Sequence, residues 1–220
     1  MRAAVKICGL NSPEAVDAAV AAGADYLGFI IFARSPRHVS PQEAGALARR
    51  KGKALSVAVL VDPDDALLAD VLTCMAPDII QLHGKESPAR CLDARAFAGR
   101  GVWKALGISG RGDLDKAAAY RGHAGGYVFD AKPPDGATRP GGLGQAWDYS
   151  VLKGFDPGAP WLLAGGLTVK SIAAALEASG APGADVVSGV ESAPGTKDPA
   201  RIRAFIAAAR SGSRLASGGA

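Results

Sequence analysis

The 220-residue chain reads as an α/β protein, a single-domain (β/α)8 barrel, on three observations. Eight short runs rich in β-branched and aromatic residues recur along it. Alanine-rich, helix-permissive segments lie between most of them. The repeat spacing is roughly 25 residues, the length of one strand–helix unit. Eight such units in roughly 200 residues fit a compact closed barrel, although periodicity alone leaves an open doubly wound sheet as the alternative.

The elements follow in order. AAVKICGL (3–10) is the first strand, and SPEAVDAAVAAGA (12–24) the first helix, opened by Ser12 and Pro13 and closed by Gly23. ADYLGFIIF (24–32) is the second strand, after which SPQEAGALARRKG (40–52) repeats the Ser-Pro start and the Gly stop. ALSVAVLV (54–61), DIIQLHG (78–84), GVWKALGI (101–108) and GGYVFDA (125–131) are strands three to six. PPDGATRPGGLGQAWDYS (133–150) is too rich in Gly and Pro for a helix and reads as a long loop. PWLLAGGL (160–167), the helix TVKSIAAALEASG (168–180) and ADVVSGVE (184–191) complete the count. No linker marks a boundary, so residues 1–210 are expected to form one catalytic barrel, with 211–220 (SGSRLASGGA) a flexible C-terminal tail.

Composition excludes several function classes. A hydrophobic fraction of 48% with 21% charged residues is ordinary globular material. No apolar stretch approaches the roughly 20 residues that span a bilayer, so no membrane partner is expected. Three cysteines without C-x-x-C spacing and three scattered histidines suggest neither a disulfide framework nor a zinc cluster, which fits a reducing, cytoplasmic setting. The net charge of +4 is dispersed, with little aromatic interleaving, which argues against nucleic acid and suits a small anionic substrate. Monomer and homodimer both remain open.

In such a barrel the chemistry gathers where strands end, so polar residues at strand C-termini carry the candidates: Cys8, Arg34, Arg37, Gln81, His83 and Asp130. Side chains alternate along a strand, which puts Lys6 and Cys8 on one face, with Lys6 deeper in the barrel. A buried lysine needs a partner, and the eighth strand offers Asp185, expected within a few Å. Gly141-Gly142, Gly165-Gly166 and Ser188-Gly189 at the late strands would let backbone N–H groups approach an anion, with a following helix N-terminus adding its dipole. Each feature alone has a plainer reading. A lone cysteine packs as a small hydrophobe, an aspartate caps a helix, an arginine is solvated, and a glycine pair makes a turn.

KICGL, ADYLGFIIF followed by SPRHVSP, DIIQLHGKE, VFDAKP, GGLGQAWDYSVL, LAGGL and DVVSGVESAPGTKD, in this order over residues 4–206, resemble the phosphoribosylanthranilate isomerase family. The resemblance implies a (β/α)8 enzyme of tryptophan biosynthesis. Its reaction is an Amadori rearrangement of N-(5-phosphoribosyl)anthranilate to 1-(2-carboxyphenylamino)-1-deoxyribulose 5-phosphate, with no metal or organic cofactor. It implies Asp130 as general acid, Cys8 as general base, and Arg37 as the partner of the anthranilate carboxylate. Gln81 and His83, which share a face of the fourth strand, are expected to line the substrate pocket with Asp185 and the glycine pairs. An acid at Asp130 calls for desolvation, expected from Phe129 and Trp147 or from closure over substrate, and a base at Cys8 calls for a nearby cation such as Lys6. One departure stands out: Leu143 occupies the polar position of the Gly-Gly-polar-Gly loop. Two other barrel enzymes fit less well. Indole-glycerol-phosphate synthase needs an added N-terminal segment, and a histidine-pathway isomerase would carry aspartate in the first strand. A barrel reduced to a binding scaffold is opposed by the joint presence of Cys8 and Asp130.

Overall fold

The computed structural model describes residues 2–99, 101–134 and 136–215, the last four as backbone only. Eight parallel strands close on themselves in chain order. They are β1 (Ala4–Cys8), β2 (Tyr26–Ile30), β3 (Leu55–Leu60), β4 (Ile79–Leu82), β5 (Gly101–Ile108), β6 (Gly126–Ala131), β7 (Trp161–Leu163) and β8 (Gly183–Val186). β1 pairs with β8 in the register Lys6↔Asp185, which completes the barrel and excludes the open sheet. Each of the eight runs read from the sequence overlaps a strand of the barrel.

The helices follow their start signals. α1 (Pro13–Ala21), α2 (Pro41–Ala48) and α4 (Pro88–Ala98) each begin with Ser-Pro. The hydroxyls of Ser12, Ser40 and Ser87 accept a backbone N–H of the first turn while proline fills a position that needs no donor. α3 (Asp65–Cys74) uses Asp64 in the same way. α5 (Gly112–Ala118), α6 (Ile172–Ser179) and α7 (Pro199–Leu215) complete the outer ring. Between β6 and β7 the described residues form a long loop ending in a 3-10 turn at Tyr149–Leu152, as its Gly/Pro content requires.

Two details differ from the sequence reading. ADVVSGVE is not one strand: the chain leaves β8 at Val187, turns through Ser188–Val190, and enters a hairpin of β9 (Glu191–Ala193) and β10 (Thr196–Lys197). Gly189 sits inside that turn, where a Cβ would stand 2.0 Å from the Leu167 carbonyl oxygen, so only glycine allows the turn to pack this closely. α7 continues to Leu215, so the backbone of 211–215 is helical, and the remainder of the expected tail, 216–220, lies outside the described residues.

Strand alternation divides the core in two. Val5, Ile7, Leu27, Phe29, Tyr127 and Phe129 point outward against the helices, while Val57, Val59, Trp103, Val128 and Leu162 fill the barrel. At the C-terminal mouth this inner packing gives way to Cys8, Gln81, Asp130 and Asp185, all buried, with Lys6 below. Among the described residues no helix is long and apolar enough to cross a membrane.

Candidate active site

β1 delivers Lys6 and Cys8 to the barrel interior, one above the other. Lys6 is fully buried and its Nζ donates to Asp185 Oδ2 at 3.1 Å, the pairing expected from strand adjacency. The second oxygen, Asp185 Oδ1, has no partner among the described residues, and Asp185 lines both cavities at the mouth. Burial pushes the Cys8 thiol above its ordinary value. Lys6 and Lys197 pull it down and Asp185 adds to the rise, so burial prevails. Two lysines are therefore present, as a thiolate needs, but they soften the cost of burial without overcoming it.

β6 delivers Asp130 three strands from Cys8, going round through β7 and β8, so the two side chains face one another across a shared cavity of about 490 Å³. Its Oδ1 accepts from the Ala131 N–H at 2.8 Å and its Oδ2 lies 3.6 Å from His83 Nε2. His83 stands at the end of β4 and is held from below by fully buried Gln81, whose amide lies 3.2 Å from His83 Nδ1. With that amide donating, the ring proton sits on Nε2, facing Asp130. Of the shielding expected from Phe129 and Trp147, Phe129 does not supply it. Phe129 is the next residue on the strand and points outward onto Phe155 and Trp161, while the Trp147 indole donates to the Ala164 carbonyl at 3.0 Å. The loop after β6 covers Asp130 instead: a Cβ at Gly141 would stand 2.7 Å from Asp130 Oδ2 and 2.8 Å from His83 Nε2.

The same loop continues over a second cavity of about 410 Å³, lined by Gly142, Leu143, Gly144, Gly165, Gly166 and Ser188. Gly165 and Gly166 have φ of +88° and +63°, and side chains there would collide with the backbone at Ala131 and Ala146, so glycine is required twice over. Gly189 backs this recess by packing on Leu167. The helix expected to follow Ser188 is a single 3-10 turn, which shortens the dipole on offer. Leu143 is partly exposed at the rim, where its side chain adds apolar cover and no hydrogen bond.

Arg37, 3% exposed, lines the Cys8 cavity from the loop after β2. Its Nε and Nη2 donate to the two oxygens of Glu191 at 2.7 and 2.8 Å, so one edge of its fork is already filled and only the outer edge remains for a ligand. Sequence reading assigned no role to Glu191 or to Lys197, which donates to Glu191 Oε1 at 3.0 Å and to the Val187 carbonyl at 2.7 Å. The signal was present in Pro194-Gly195, a turn dipeptide that folds two opposite charges six residues apart onto one another, and the hairpin register pairs them.

A closed parallel barrel with ionisable side chains facing across its C-terminal mouth, beside a glycine-lined recess, is the layout of a barrel enzyme acting on a small phosphorylated molecule. Comparison with known proteins narrows this class. Residues 5–208 match the model of the family described as N-(5'-phosphoribosyl)anthranilate (PRA) isomerase. A curated N-(5'-phosphoribosyl)anthranilate isomerase from Azorhizobium caulinodans is 51% identical over 94% of this chain and 91% of its own length. Among solved structures, a phosphoribosyl anthranilate isomerase in complex with reduced 1-(o-carboxyphenylamino)-1-deoxyribulose 5-phosphate superposes with a TM-score of 0.83 at 28% identity, covering 95% of this chain and 99% of that one. Monomers generated from the dimeric Thermotoga maritima enzyme give 0.82 at 31% identity, with the same coverage. The chain belongs to the N-(5'-phosphoribosyl)anthranilate isomerase family.

Proposed function

We propose that this isomerase performs the Amadori rearrangement of N-(5-phosphoribosyl)anthranilate to 1-(2-carboxyphenylamino)-1-deoxyribulose 5-phosphate, a step of tryptophan biosynthesis, with Asp130 as general acid and Cys8 as general base. Protonated Asp130 gives its proton to the ribose ring oxygen as the C1′–oxygen bond breaks, which opens the ring to an iminium. The Cys8 thiolate removes the C2′ proton, and the electron pair neutralises the iminium as an enolamine. Tautomerisation then adds a proton at C1′ and removes the one on the 2′-oxygen, leaving the ketone. The two groups must stand on opposite sides of the sugar, and their positions on β1 and β6 across one cavity are the observation that carries this assignment.

The remaining residues hold the substrate. The recess under Gly141-Gly142, Gly165-Gly166 and Ser188-Gly189 takes the 5-phosphate through backbone N–H groups. The outer edge of Arg37 takes the anthranilate carboxylate. His83, oriented by Gln81, and the free oxygen of Asp185 contact the ribose hydroxyls between them. One chain supplies every one of these groups, so the site is complete in a monomer and in each half of a homodimer, and the three free cysteines suit a reducing, cytoplasmic setting.

The test is turnover of freshly generated phosphoribosylanthranilate, followed by loss of its anthranilate fluorescence. Cys8→Ala and Asp130→Asn should each lower kcat by roughly 10³-fold with the fold intact by circular dichroism. Cys8→Ala within tenfold of wild type would remove Cys8 as the base.

A further inference from the structure

The hairpin after β8 has no counterpart in the strand–helix repeat, yet it supplies Glu191 and Lys197, two buried charges that the acid–base assignment leaves without a task. Glu191 accepts the Nε and Nη2 edge of Arg37 with one oxygen each, and its Oε1 also accepts from Lys197. Its backbone carbonyl accepts from Arg201 of α7, so the carboxylate is anchored at both ends. The hairpin is itself fixed to the mouth. The Asn11 amide, from the loop after β1, donates to the Gly195 carbonyl at 2.9 Å, and a Cβ at Gly195 would stand 2.7 Å from the Pro36 carbonyl beside Arg37.

Two consequences follow from this geometry. A guanidinium whose side edge is tied by two charge-assisted bonds cannot rotate, and its Nη1 end is left facing the loop after β6, 3.2 Å from the Cβ position of Gly142. The cluster also holds two cations, Arg37 and Lys197, against one carboxylate, while the neighbouring Lys6–Asp185 pair is balanced. Burial pushes Lys197 below the ordinary lysine value, against the pull of Glu191, and the Nη1 end of Arg37 is the donor left to meet an anion.

We infer that Glu191 is a positioning residue of the isomerase, which aims the Nη1/Nη2 edge of Arg37 at the carboxylate of the ligand, with Lys197 bracing Glu191 from behind. This rests on Arg37 as the carboxylate contact proposed above. Glu191 itself touches no reacting atom.

The experiment compares binding of reduced 1-(o-carboxyphenylamino)-1-deoxyribulose 5-phosphate with that of its phenyl analogue lacking the carboxylate. Wild type should favour the carboxylated ligand by about 100-fold, the order expected for a desolvated charge pair, and Glu191→Gln should reduce that preference to about threefold. In turnover, Glu191→Gln should raise KM about 30-fold while kcat changes less than about fivefold. In an Arg37→Gln background the Glu191 change should have no further effect on preference. A Glu191→Gln enzyme that discriminates as wild type does would overturn the inference alone. A wild type that binds both ligands equally would remove the Arg37 contact and the inference with it. If Glu191→Gln does not fold, nitrogen NMR of wild type decides: the Arg37 Nε–H signal should persist unmoved when the carboxylated ligand binds, and its loss would mean that Arg37 leaves Glu191 for the ligand.

Discussion

Cys8 sits in a pocket that opposes its own ionisation. Burial raises the thiol, Lys6 draws it back, Asp185 raises it again and Lys197 draws it back, with a net rise. The thiolate that the reaction uses is therefore a minor species of the free enzyme at neutral pH, and catalysis draws on that fraction. Alkylation of Cys8 by iodoacetamide, read as rate against pH, should climb beyond the range of an ordinary thiol. Lys197→Met should move its midpoint higher, because a cation that favours thiolate has been removed. A midpoint below that of free cysteine would contradict the balance of forces described here. The reach of sequence reasoning at this scale is visible in two pairs. Lys6 and Asp185 were legible because strand alternation and barrel closure together put them on one register line. Glu191 and Arg37 were not, because no periodicity links a loop to a hairpin.

The elements are held by local chemistry that the sequence displays. Ser40 and Glu43 form a capping box on α2, so Ser40→Ala should cost about 1 kcal/mol and lower Tm by about 2–4 °C in a chain of this size. Gly45 lies in the middle of the same helix for a different reason: a Cβ there would stand 2.1 Å from the Cys74 carbonyl at the end of α3. Gly45→Ala should force α2 and α3 apart and cost about 1–3 kcal/mol, against the gain that alanine brings to an exposed helix. Calorimetry of both variants checks the pair, and a Gly45→Ala protein as stable as wild type would show that the helices separate freely. Strand and helix positions were readable because each announces itself within ten residues. The break of ADVVSGVE into strand, turn and hairpin was not, since the contact that accompanies it, Gly189 on Leu167, joins two separate loops.

At the scale of the molecule, closure of the sheet converts eight separate strand ends into one mouth. Residues from β1, β4, β6 and β8 meet there, joined by Arg37 from the loop after β2 and Glu191 from the hairpin, and the buried polar groups pair: Lys6 with Asp185, Gln81 and Asp130 with His83, Arg37 with Glu191. The loop after β6 crosses this mouth on glycines, so its backbone lies against Asp130 and His83 where a side chain would hold it off. Fold class and reaction were legible because the ordered motifs span nearly the whole chain. What covers Asp130 was not, because the loop directly after β6 displays no local pattern that fixes its path back over the mouth. The most direct measurement of acid–base transfer across this mouth is a single turnover of phosphoribosylanthranilate deuterated at C2′, in wild type and in Cys8→Ala. Wild type should show a primary isotope effect on the chemical step, and Cys8→Ala should lose roughly 10³-fold of that step's rate. A Cys8→Ala enzyme that turns over within tenfold of wild type with the same isotope effect would contradict the assignment, since the C2′ proton would then be leaving to another group.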